Sequence, residues 1–278
     1  MAASLNLLQK KEEGFLMNKY WMCVITVLGC LFVSCSKESK NALKIVATPV
    51  PHAQMLEFIK PDLKAKGIDL VIITTEDYNM PNRALANKEV DANFFQHIPF
   101  LDEQIKQFGY SIESLAKIEL EPMGIYSKKL HSLNDLQTGA IIAIPNDPTN
   151  EARALLLLQS EGLLQLQNSD DLQSTILNIT SNPKNLKFIE VDAAMLPRTL
   201  ADVDAAVINT NYALGANLDP LKDPLVLESK DSPYVNVLAV RTGDESRPDI
   251  QALKDSMTSE KMRAFIIEKY KGAVLPAF

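Results

Sequence analysis

From residue 43 to residue 270 the chain alternates short apolar runs with amphipathic stretches, and this alternation limits the fold more than anything else in the sequence. Residues 43–48, 70–74, 92–95, 140–144, 186–191, 205–208 and 234–241 read as strands. Residues 54–66, 82–87, 99–108, 151–166, 193–201 and 250–270 read as helices, 133–136 as a short helix and 172–179 as an amphipathic segment. In the first of these helices Met55, Phe58, Ile59 and Leu63 share one face. Strands alternating with helices imply an α/β fold with largely parallel sheet, covered on both faces. Extended segments near 118–132 and 231–241 interrupt the pattern and read as crossings between two lobes. The expected division is 43–130 plus 238–278 for one lobe and 131–237 for the other, with a ligand cleft between them that closes by hinge motion.

The most informative local stretch is 144–158, Ile-Pro-Asn-Asp-Pro-Thr-Asn-Glu-Ala-Arg-Ala-Leu-Leu-Leu-Leu. An apolar run ends in a polar loop that opens a helix, with Asp147 suited to the N-cap and Pro148 to the first helical position. Ligands of open α/β sheets bind at the carboxyl ends of strands. A helix N-terminus there favours an anionic group. Arg153 can lean back over the loop and grip a carboxylate through its fork. An ordinary loop, with Arg153 in a surface ion pair, is the bland alternative.

The N-terminus reads as an address. Residues 20–35 are apolar but too short for a comfortable membrane span. Lys19 precedes them, and small residues lead to a cysteine, as in a bacterial lipoprotein signal. Residues 1–34 are the expected signal peptide, with Met17 a candidate start and 1–16 then an extension. Cys35 is the expected lipidated residue, followed by a polar tether over 35–42. Cys30 is the alternative, because Phe32 is unusual three residues before Cys35. The bland alternative is an uncleaved N-terminal anchor. The expected location is the bacterial cell envelope, held to a membrane through the N-terminal lipid.

All three cysteines lie at or before residue 35, so the body has no disulfide and no cysteine metal site. A net charge of −7 argues against a nucleic-acid partner. The three histidines have no metal-like spacing. The candidate loops show no nucleophile–base pair, no paired carboxylates and no metal cluster. No enzyme activity, cofactor or metal is therefore expected.

Several motifs in fixed order carry a resemblance. They are Ala47-Thr48-Pro49-Val50-Pro51-His52-Ala53, Asp91-Ala92-Asn93-Phe94-Phe95-Gln96-His97, the stretch 144–158, Asn209-Thr210-Asn211-Tyr212-Ala213 and Tyr234-Val235-Asn236. With them, residues 43–278 resemble the NlpA lipoprotein family, the methionine-binding lipoproteins that serve ABC importers. The resemblance implies a two-lobe, type II periplasmic-binding-protein-like fold holding a free amino acid between the lobes. By motif it assigns ligand binding to Tyr78, Phe95, His97, Asn150, Arg153, Asn209 and Asn236. It implies L-methionine as ligand, with D-methionine open, and an ABC permease and ATPase complex as partner. Ala152 stands where many relatives have glycine, and Glu151 beside it is the odder residue.

The residue chemistry agrees. A zwitterion needs a cation for its carboxylate, which Arg153 supplies, and acceptors for its ammonium, which the amide oxygens of Asn209 and Asn236 supply. A thioether favours aromatic walls such as Tyr78 and Phe95. His97 can line that wall or hydrogen-bond the carboxylate. Structural roles compete at each position: a loop tyrosine, a core phenylalanine, a structural histidine, a capping asparagine. The competing functions are a binding protein for another small amino acid or peptide, and a surface lipoprotein acting in adhesion or host contact.

Overall fold

The structure is a computed structural model and describes residues 42–278. The expected signal peptide, nearly all of the tether, and both Cys30 and Cys35 lie outside the described residues. The strands are β1 (Ala42–Ala47), β2 (Asp69–Thr74), β3 (Ala92–His97), β4 (Ile112–Leu120), β5 (Gly124–Tyr126), β6 (Ile141–Pro145), β7 (Gln165–Leu166), β8 (Ile179–Ser181), β9 (Lys187–Val191), β10 (Ala205–Ile208), β11 (Pro224–Leu227), β12 (Val235–Arg241) and β13 (Leu275–Pro276). The α-helices are α1 (Gln54–Ala65), α2 (Met80–Ala86), α3 (Ile98–Phe108), α4 (Pro148–Ser160), α5 (Leu196–Thr199), α6 (Thr210–Gly215), α7 (Pro248–Met257) and α8 (Glu260–Tyr270). Among the described residues no helix is long and apolar enough to cross a membrane.

Two sheets form the two lobes. The first has the order β13-β4-β12-β3-β1-β2 and the second β11-β5-β10-β6-β9. Each is mixed rather than largely parallel. β1 runs parallel to β2 and β3, and β6 runs parallel to β9 and β10. β12 is antiparallel to β3 and β4, and β5 to β10 and β11. The crossings explain this: β4 leaves the first lobe, and β12 returns to it in the opposite sense.

The outgoing passage is Glu121-Pro122-Met123, between the end of β4 and the start of β5. Pro122 has no N–H for a ladder, which suits the break in pairing. The return runs over 228–234 and includes Pro233. The outgoing passage falls inside the extended segment 118–132 read from sequence, and the return overlaps 231–241 but begins three residues before it. The first comes earlier than residue 130, because β5 pairs with β10 in the second lobe. The second ends before residue 237, because β12 already pairs with β4 from Val235.

Side-chain alternation builds a core on each face of each sheet. Leu43, Ile45 and Ala47 of β1 pack under α1, α7 and α8, while Val46 packs with α2 and α3 on the other face. In the second lobe Ile142 and Ile144 pack with Leu155 and Leu158 of α4, and Ala143 packs with Leu196 and Leu200.

Two helical expectations are corrected and one amphipathic segment is defined. The stretch 250–270 is two helices, because Ser259 caps the second by accepting from the Met262 N–H at 3.1 Å. The helix expected over 151–166 ends at Ser160, and Gly162 turns the chain at φ 71° into β7. The segment 172–179 holds only a short 3₁₀ turn (Ile176–Asn178) before β8, fixed by the Thr175–Asn178 capping box.

Candidate functional site

Carboxyl ends of parallel strands from both lobes face one cavity. From the first lobe come His52 after β1 and His97 at the end of β3. From the second come Asn150 and Arg153, in the helix that follows β6, and Asn209 after β10. Register completes the row: Asn236, near the start of β12, pairs with His97 on one side and Glu119 on the other. All seven residues singled out from sequence line this cavity, together with His52, Gln96, Phe100, Glu121, Thr210 and Asn211.

The loop into α4 is built as its residues dictate. Asp147 is the N-cap and accepts from the Asn150 N–H at 3.0 Å, with Pro148 first in the helix. Arg153 is buried, with its guanidinium 4.5 Å from the Tyr234 ring centroid. It is not a free fork. Nε donates to Glu228 at 3.1 and 3.2 Å, and Nη2 donates to Glu228 at 2.5 Å and to the Glu121 carbonyl at 2.7 Å. The bidentate partner is thus Glu228, on the return passage. Among the described residues Nη1 has no hydrogen-bond partner. Arg153 also ties both interlobe passages to α4.

Asn150 links the lobes. Its Nδ2 donates to both Asp147 carboxylate oxygens at 2.9 and 3.0 Å. Its Oδ1 accepts from Asn209 Nδ2 at 2.7 Å and faces His97 Nε2 at 3.2 Å. The amide is fully used within the protein. His97 Nδ1 accepts from the Phe100 N–H at 3.1 Å, which leaves the ring proton on Nε2 for Asn150. Burial, then the nearby Arg153 charge, hold this imidazole down to about 3, so it is neutral at physiological pH. Its one N–H is spent on Asn150, which makes His97 a wall residue.

Asn209 sits at the N-cap position of α6 but makes no capping bond. Its Oδ1 is buried and has no partner among the described residues. A buried acceptor left empty needs a donor. Asn236 is oriented alike: its Nδ2 is spent on Glu119 at 2.7 Å and Glu121 at 3.1 Å, and among the described residues no bond reaches its Oδ1.

Tyr78, Phe95 and Phe100 form one aromatic wall, with ring centroids 5.8 to 5.9 Å apart. Tyr78 reaches across the cleft and donates to Asn211 Oδ1 at 2.7 Å. Tyr212 OH donates to the Glu76 carbonyl at 2.5 Å, and Gln173 Nε2 to Glu103 at 2.5 Å, also between lobes. The lobes are closed on each other. Glu151, the odd residue of the α4 motif, is buried and accepts from the Ile176 N–H at 2.9 Å, so its role is to hold a second-lobe loop.

The cavity floor was not read from sequence. Glu119 and Glu121 alternate around Leu120 and project to one face, next to His52. His52 Nε2 lies 3.2 Å from Glu119 and 3.3 Å from Glu121, and its Nδ1 lies 2.5 Å from Thr48 Oγ1. Paired carboxylates therefore do exist at the site, contrary to expectation. Their i, i+2 spacing was the available signal. Burial, reinforced by the Glu119 charge, pushes the Glu121 carboxyl well above the usual range. Oxygen and nitrogen atoms of His52, Glu119 and Glu121 all lie within 4.8 Å of one another. A cation could be held by such donors, but Asn236 Nδ2 already donates to both carboxylates there.

Comparison with known proteins places this geometry. A family model described as NlpA lipoprotein matches residues 43–278. The methionine-binding lipoprotein MetQ of Bacillus subtilis (strain 168) is 41% identical over 246 residues, covering 87% of this chain and 90% of that protein. The D-methionine-binding lipoprotein MetQ of Escherichia coli (strain K12) is 39% identical over 263 residues, covering 92% and 97%. The solved structure of a nutrient-binding protein from Burkholderia cenocepacia bound to methionine aligns with a TM-score of 0.82 at 45% identity, covering 85% of this chain and all of that one.

Proposed function

This chain belongs to the NlpA lipoprotein family, and from that premise we infer that it is a lipid-anchored binding protein that captures methionine and delivers it to an ABC importer. One observation carries the ligand class. The closed cavity offers the Nη1 edge of a buried arginine, the buried and partnerless Asn209 amide oxygen, the Asn236 amide beside it and an aromatic wall. Those are the needs of a zwitterion with a thioether side chain. In this reading Arg153 takes the carboxylate and Asn209 and Asn236 take the ammonium. Tyr78, Phe95 and His97 flank the side chain, and Asn150 orients Asn209 and His97. The permease and ATPase complex is the partner, and no turnover is expected.

Calorimetry and small-angle scattering test the ligand. Methionine at a hundredfold excess over Kd should add about 2.7 kcal/mol. For a body of this size that is a Tm rise of roughly 5–10 °C. The radius should shrink as open molecules close. Tighter binding of another amino acid or of a peptide would reassign the cavity. No shift with any of them would leave the adhesion reading. L- and D-methionine run in parallel give the preferred hand.

The anchor is tested separately. Cys35→Ala should abolish lipid labelling, and labelling lost only in Cys30→Ala would move the site.

A further inference from the structure

Beneath the proposed ammonium position lies a buried acid pair that no step so far uses. Glu119 is fully buried and Glu121 nearly so. One oxygen of each converges on Asn236 Nδ2 and on His52 Nε2. The other Glu119 oxygen is buried without a partner among the described residues. Glu121 also lines the cavity, beside Asn236 and across from Asn209.

Two carboxylates this close cannot both ionise cheaply in a buried site, and burial with the neighbouring Glu119 charge raises the Glu121 carboxyl so that it favours keeping its proton. Among the described residues four titratable or charged side chains face the pair. His52 faces the pair from the turn Pro49–Ala53, Tyr78 from the loop after β2, Tyr270 from α8 and Arg153 from α4. Burial pushes both phenols upward, so they are neutral. Arg153 is the permanent cation among the described residues facing the pair, and Glu228 already neutralises it. A ligand ammonium would supply the missing positive charge.

We propose that the Glu119–Glu121 pair is a proton store discharged by the ligand: it holds one proton in the empty cavity and releases it to solvent when an ammonium settles against Glu121. Capture of a zwitterion is then coupled to release of one proton, and ligands lacking a free ammonium are disfavoured. This rests on the methionine reading above.

The test is calorimetric titration of the purified protein with L-methionine between pH 5 and 8. At each pH it is run in two buffers of different ionisation enthalpy. Affinity should rise with pH, by up to tenfold per unit, and the buffer-dependent enthalpy should report release approaching one proton per methionine. Glu121→Gln and the isosteric Glu119→Gln should each bind with little or no release. Flat affinity with equal enthalpy in both buffers would overturn the proton store and leave methionine binding standing. So would release undiminished in both variants, which would place the proton elsewhere. No binding by the wild-type protein at any pH would instead overturn the methionine reading, and the proton store with it.

Discussion

Arg153→Ala is expected to weaken methionine binding by roughly 30-fold to several thousand-fold, since truncating one side of a buried charged contact removes about 2–5 kcal/mol. From sequence, Arg153 reads as a free anchor whose loss would leave the ligand-free fold almost untouched. The structure changes that expectation. Its Nε and Nη2 hold Glu228 on the return passage, and Nη2 holds the Glu121 carbonyl on the outgoing one. Removing the guanidinium leaves the Glu228 carboxylate mostly buried without its cation. Breaking a buried pair costs about 3–5 kcal/mol, or roughly 6–20 °C in Tm at this chain length. The variant should therefore lose affinity and stability together. Arg153→Lys separates the two effects: it keeps a charge beside Glu228 but not the planar fork. It should recover most of the ligand-free Tm and only part of the affinity. Affinity within threefold of wild type in the alanine variant would remove Arg153 from the ligand site.

Asn236→Ala is expected to have the second-largest effect, and one that depends on pH. Asn236 Nδ2 is a donor to both Glu119 and Glu121. Hydrogen bonds to charged groups are worth about 1.5–3 kcal/mol each, so a loss of several kcal/mol is expected when the pair is ionised. The sign follows from linkage. Glu121 has a raised pKa in the folded state. Between its unfolded value near 4.5 and that raised value, the folded protein binds more protons than the unfolded chain. Stability contributed by the protonated form is thus lost as pH rises through this window. Without Asn236 the ionised form loses its donor, so the loss deepens. The Tm deficit of Asn236→Ala should be larger at pH 8 than at pH 5, measured without ligand. A deficit equal at both values, or larger at pH 5, would show that Asn236 does not stabilise the ionised pair.

Much of the site was legible because its residues sit at strand ends beside polar loops. The 144–158 stretch fixed its own geometry: Asp147 caps, Pro148 begins the helix, and Arg153 turns inward. Asn236 stood out as an amide within a valine- and leucine-rich strand. What stayed hidden depended on contacts distant in sequence. Nothing local marks Glu228 as the partner of Arg153, 75 residues away. The acid pair was visible in principle as Glu119-Leu120-Glu121, but its meaning needs His52 and Asn236, brought in by other strands. The mixed sheets were missed for a related reason, because apolar runs show a strand but not its direction. The 250–270 region keeps an apolar face through its break, so periodicity alone does not show where Ser259 caps a second helix.

The most direct measurement is mass spectrometry of small molecules released when the purified protein is denatured. Methionine, approaching one molecule per chain, is the expected result. A different amino acid or a peptide at that stoichiometry would contradict the assignment. So would an empty protein that fails to bind added methionine.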